Sequence, residues 1–222
     1  MHTHTTPPQK KATHKHEHFK ITKLTKRYNK KTNTFTYNIT YETTTTITPR
    51  TTKIAQAFGL GIDQTQKFTL YDNIQLKINP TDIVYITGDS GSGKSTLLKA
   101  IKQDLGKEAA DMTNLNIEKD KPLIDTLGKT FTEALELLSK VGLNDAFLFI
   151  RRYSQLSDGQ KYRYRLAKLI ESGKQWWIID EFCSTLDRDT AKTVAFNLQK
   201  LARQMEKAAI AATTHTNLLE DL

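Results

Sequence analysis

The chain has 222 residues, 37% hydrophobic and 26% charged, which is room for one sizeable α/β domain with an appendage, and no apolar run approaches the ~18 residues of a membrane span. A single cysteine, Cys183, excludes an internal disulfide and fits a reducing, cytoplasmic compartment. The formal net charge is +9, and the whole excess lies in residues 1–53, which hold 11 lysines and arginines against Glu17 and Glu42.

Residues 1–18 are rich in His, Thr, Lys and Pro with almost nothing apolar, the composition of a disordered tail. His14, His16 and His18 alternate there, as metal ligands or as plain tail residues, with no acid or thiol cluster beside them. From 19 to 53 the runs FKITKL and TFTYNITYETTTTIT alternate like two or three strands around a turn at Tyr28, Asn29 and Lys30, which predicts a small basic antiparallel β annex. Its charge has two readings. Lys10, Lys11, Lys15, Lys20, Lys23, Lys26, Arg27, Lys30 and Lys31, interleaved with Phe19, Tyr28, Phe35 and Tyr37, would neutralise phosphates and stack bases, making residues 10–53 a nucleic-acid surface. Alternatively they solubilise a tail and guard an edge strand. The tail lacks the apolar segment of a secretory signal, and it is Lys/Thr-rich where a transit peptide would be Arg/Ser-rich.

The apolar run Ile83 to Ile86 predicts a buried strand, and Leu97, Leu98 and Ile101 share one face of a helix. Between them stands GDSGSGKST: Gly88, Asp89, Ser90, Gly91, Ser92, Gly93, Lys94, Ser95 and Thr96. Gly88, Gly93, Lys94 and Ser95 fit the phosphate-binding pattern G-x-x-x-x-G-K-[ST]. Glycines open backbone conformations in which successive N–H groups converge on a phosphate chain beyond a helix N-terminus. Lys94 would reach the β- and γ-phosphates and Ser95 would ligate Mg2+.

Further along, Thr130 to Val141 predicts an amphipathic helix with a Thr130/Glu133 capping box, Phe131, Ala134, Leu135 and Leu138 on its apolar face, and Gly142 as its stop. Leu156-Ser157-Asp158-Gly159-Gln160 precedes another helical pattern, and Ser157-x-x-Gln160 is also an ordinary capping box. In QWWIIDEF four large apolar residues end in two acids, so a buried parallel strand would deliver Asp180 at its carboxyl edge beside the Mg2+ of Ser95. Glu181 is then placed to orient or deprotonate the attacking water. Ser184-Thr185-Leu186-Asp187 follows, then a second apolar strand over Ala208 to Ala212, then His215. Cys183, next to these acids, is either a reactive thiol or a buried inert one.

Taken in order, the glycine loop, LSDGQ, the Asp180-Glu181 pair, STLD and His215 resemble the Walker A, signature, Walker B, D-loop and switch motifs of ABC-type ATPases, from about Thr52 to the end. The resemblance implies a P-loop α/β fold: a mostly parallel sheet flanked by helices over 54–222, with the β annex before it and a reduced helical subdomain at about 105–170. It implies ATP and Mg2+ as cofactors, hydrolysis by Glu181 with His215 and Lys94, and a head-to-tail homodimer in which Ser157, Gly159 and Gln160 complete the partner's site. Phe58 is the candidate to stack on the base, with Phe68 or Tyr71 as runner-up.

Departures from the pattern are Asp158 in place of the signature's first glycine, Phe182 and Cys183 where Pro and Thr are usual, and no glutamine for the Q-loop, where the chain reads Glu118-Lys119-Asp120-Lys121-Pro122. The short span from Lys94 to Leu156 makes the family's docking surface small and argues against a membrane subunit as partner. The expected function is therefore a soluble, non-transporter ATPase associated with nucleic acid. The alternatives are a transporter's energy subunit and an ATP-sensing module with little turnover. The run DEFCSTLDRDTAK is similar to archaeal ABC-type ATPases joined to an acetyltransferase-like domain, which is then a candidate partner or missing domain. The end soon after His215 reads as a fragment, a short variant or half of a split protein.

Overall fold

Apolar runs of three to six residues, too short for helices, make the central sheet. A computed structural model describes residues 19–61 and 65–214, so the tail, the histidines within it and His215 lie outside the described residues. The described residues divide into two compact units: 19–25 with 37–61 and 65–74, and 26–36 with 75–214.

The annex strands are β1 (Phe19–Asn29), β2 (Thr34–Thr44) and β3 (Thr65–Lys77), ordered β1-β2-β3 in an antiparallel sheet. Between β2 and β3 runs α1 (Pro49–Phe58), started by the Thr48/Thr51 capping box with Pro49 in its first turn, and ended by Gly59 at φ 66°. The predicted boundary at 53/54 therefore falls inside a helix. The Lys30 ammonium at the β1–β2 turn is bonded to Glu108 at 2.5 Å.

The second unit carries a four-stranded parallel sheet of β4 (Ile83–Thr87), β5 (Ala109–Asp111), β6 (Trp176–Ile179) and β7 (Ala208–Thr213) in the order β4-β7-β6-β5. Strands β6 and β7 are buried throughout, as continuous apolar runs in a parallel sheet must be. Trp176 and Trp177 are fully buried in β6. Helices α2 (Lys94–Leu105), α3 (Phe131–Lys140), α4 (Ala146–Phe149), α5 (Asp158–Glu171) and α6 (Arg188–Gln204) complete the unit. A core of Leu138, Leu156, Tyr164, Leu166, Ala167, Ile179, Val194 and Leu198 joins α3, α5 and α6 to the sheet.

Three local expectations need correction. Thr130 caps α3 by accepting from the Glu133 N–H, but the Glu133 carboxylate accepts from Lys129 N–H, so the reciprocal half of the box is absent. Phe131 is 70% exposed and Leu137 takes its place in the core. Phe35 and Tyr37, expected to stack bases, are fully buried; Phe35 stacks on Tyr28 at 4.3 Å and meets Trp176 edge-on at 6.2 Å.

Candidate functional site

Three strands bring the chemistry to one edge of the sheet. Thr87 pairs with Thr213 and Ile179 with Ala211, so the loops after β4, β6 and β7 leave side by side at the carboxyl ends, where open α/β sheets bind ligands. The glycine loop follows β4. Gly88, Gly91 and Gly93 have φ of 148°, 81° and 91°. At Gly88 an added Cβ would meet Ser92 Oγ at 3.1 Å, a tight approach on top of the positive φ that already favours glycine there. Gly93 caps α2 without a side-chain hydrogen bond, which sets the N-terminus of that helix at the end of the loop.

A cavity of about 390 Å3 opens there, lined by Ser90, Gly91, Gly93, Lys94, Ser95, Thr96, Asp180, Glu181, Ser184, Ala212, Thr213 and Thr214. Gly88, Asp89 and Ser92 act from behind: the Lys94 ammonium donates to the carbonyls of Gly88 and Asp89, both at 2.7 Å, and lies 3.4 Å from Ser92 Oγ. Across the cavity the Glu181 N–H donates to Asp180 Oδ1 at 3.0 Å, and Glu181 itself has φ 51°, uncommon outside glycine. The donor set fits a magnesium triphosphate. A glycine cradle and an ammonium suit phosphate oxygens, and a hydroxyl beside a carboxylate suits a hard cation.

The other predicted residues lie elsewhere. Ser157 caps α5, exchanging hydrogen bonds with Gln160 at 3.3 and 3.0 Å. Neither it, Gly159 nor Gln160 lines the cavity. Gly159 passes so close to α6 that a Cβ would meet Thr190 Cγ2 at 3.2 Å. The carboxylate of Asp158 holds Lys161 at 3.3 Å in the first turn, where the helix macrodipole favours a negative charge. Phe58 is 76% exposed, in α1 of the first unit. Sequence reasoning missed Thr213 and Thr214, whose signal was their place directly after the apolar run of β7.

Strand β5 ends at Asp111, so the loop leaving the edge beside Asp180 begins at Met112, upstream of the Glu118–Pro122 stretch that the sequence pattern assigns to the Q-loop. Asp111 accepts from Lys102 at 2.7 Å, from Thr113 N–H at 2.9 Å and from Asn114 at 2.7 Å. Burial pushes its carboxyl up, but Lys102 and Thr113 outweigh this and hold it below the usual range. Burial pushes the Cys183 thiol up to about 12, so the inert reading of that cysteine is the one its surroundings support.

The profile described as ABC transporter matches residues 71–123. The cytochrome c biogenesis ATP-binding export protein CcmA of Reclinomonas americana is 31% identical, over 67% of this chain and 79% of that protein. The chain belongs to the ATP-binding cassette family. It is a P-loop ATP hydrolase of that class, with ATP and Mg2+ as cofactors. Methionine import ATP-binding protein MetN 1 of Oenococcus oeni is 26% identical over 72% of the cassette, which spans 56% of that relative's length. In fold the cassette is similar to the dimeric post-hydrolysis ATP-binding cassette MJ0796 bound to ADP and Pi, with TM-score 0.57 and 21% identity over 70% of this chain and 84% of that one. Among the described residues no helix is long and apolar enough to cross a membrane.

Proposed function

We propose that this cassette hydrolyses ATP at composite sites between two copies arranged head to tail, and that the closing and opening of the pair drives a partner. Lys94, the loop N–H groups and Ser95 hold the phosphates, while Ser95 and Asp180 hold Mg2+, which neutralises charge on the transferring phosphoryl group. Glu181, joined by His215, orients the attacking water. Ser157 and Gly159, with Gln160, complete the site of the other copy. One observation carries the reading: Lys94, Ser95, Asp180 and Glu181 line one cavity that no signature residue of the same chain reaches. The test is complementation. Lys94→Ala and Ser157→Phe are each expected to be inactive, and their mixture active, because it assembles one complete site. An inactive mixture contradicts the reading.

The partner best supported is a membrane-embedded subunit. The relatives named for cytochrome c biogenesis export and methionine import favour it over the non-transporter reading drawn from the short helical subdomain. Nucleic acid is the second reading, favoured by the basic excess of residues 1–53 and the exposed Arg27 and Lys31. It requires salt-sensitive binding that Arg27→Glu with Lys31→Glu abolishes.

A further inference from the structure

The residue after Glu181 is Phe182. Its ring is fully buried and meets two others edge-on: Tyr85 of β4 with centroids 5.4 Å apart at 80°, and Tyr162 of α5 at 5.9 Å and 72°. Such T-shaped pairs attract beyond the area they bury. Tyr85 lies three residues before Gly88, on the strand that feeds the glycine loop. Tyr162 lies on the helix that Ser157 caps. The Phe182 N–H donates to the Ala212 carbonyl of β7 at 2.7 Å. One residue thus touches the strand of the phosphate loop, the signature helix and the strand leading to Thr214.

The backbone on either side is unusual. Glu181 has φ 51° and Cys183 φ 56°, and two left-handed residues that are not glycine persist only where their surroundings over-determine them. The surroundings here include the Phe182 ring and its hydrogen bond, beside the turn bonds from Ser184 N–H to the Glu181 carbonyl and from Leu186 N–H to the Cys183 carbonyl, each at 3.1 Å. Cys183 is itself buried, its Sγ 3.8 Å from the Ala191 carbonyl.

We propose that Phe182 is a positioning residue, an aromatic clamp that holds Glu181 in its left-handed conformation at the cavity and ties that glutamate to the signature helix through Tyr162. The proposal rests on the reading of Glu181 as the group that orients water. Displacement of the signature helix when the pair closes then reaches the glutamate through the Tyr162–Phe182 contact.

The test uses steady-state and single-turnover ATP hydrolysis. Phe182→Leu lowers kcat by about tenfold or more while KM for ATP stays within about threefold, the pattern of a lost transition-state interaction. Tyr162→Leu reproduces that loss and Tyr162→Phe, which keeps the ring, does not. Leu198→Ala, a buried residue of α6 outside the cluster, lowers the melting temperature and leaves kcat unchanged. In the Glu181→Gln background Phe182→Leu causes no further loss, because its effect runs through the glutamate. An equal fold-loss with Glu181 present or replaced overturns the clamp while leaving the glutamate's role standing. Full turnover by Glu181→Gln alone overturns that role and the clamp with it.

Discussion

The Lys94 ammonium closes onto the Gly88 carbonyl at 2.7 Å, six residues back along its own chain, and so fastens the phosphate loop from within. The charge is held at the cavity by backbone carbonyls, and in the proposed function phosphate oxygens take their place. Lys94→Ala is expected to weaken nucleotide binding by about 1.5 to 3 kcal/mol, the range for hydrogen bonds to charged groups. Titration with a fluorescent ATP analogue measures this. Unchanged affinity would mean that the ammonium does not contact the nucleotide.

Gly159 has a role within its own chain. Gly159→Ala places a Cβ 3.2 Å from Thr190 Cγ2 and is expected to cost about 1 to 3 kcal/mol through overpacking. Thr190→Ser removes that methyl while keeping the Thr190 N–H bond to Asp187, so the double variant recovers most of the stability. Denaturant unfolding of the four proteins gives the coupling, and simple additivity would show that the contact is not the cause.

Asp111 supplies an acid-sensitive element. Its folded carboxyl titrates below the usual 3.8, so its contribution is fully present above that pH and is lost as pH falls through the folded value. Asp111→Asn is expected to lower stability at about pH 7 by roughly 1 to 2 kcal/mol, with the difference from the parent shrinking as pH falls below 3.8. A constant difference across that range would contradict the Lys102 ion pair as its source.

Cys183 works in the opposite direction. Burial raises its thiol from 9.0 to about 12, so the stability it contributes is complete below pH 9.0 and is lost as pH rises towards 12. The native thiol is expected to resist alkylation at about pH 8 and to react only on unfolding. Rapid labelling of the folded protein would contradict its burial.

What could be read from residues alone divides along physical lines. That the glycine loop, Asp180 and Glu181 meet at one cavity was legible because the phosphate-site pattern has fixed residues at fixed spacing, and Trp176 to Ile179 because a buried parallel strand is a short apolar run. Strand β5 was not, since Ala109-Ala110-Asp111 has too few residues to show a period. Strand β3 shows an alternating pattern only in two pieces, Phe68 with Leu70 and Ile74 with Leu76, interrupted by Asp72 at the in-phase position between them. Periodicity also could not tell that Phe35 and Tyr37 turn into a core while Phe131 turns out of one. That depends on which element packs opposite, and this is set far away in sequence. The clamp at Phe182 was visible only as a departure from the family's usual residues, because its partners come from positions 85 and 162.

The central claim is a site completed by a second copy. It is tested most directly by passing Glu181→Gln over a sizing column with light scattering, in the presence of ATP and Mg2+. The account predicts a stable dimer that reverts to monomer when Lys94→Ala is added; a monomer throughout, with ATP bound, would contradict it.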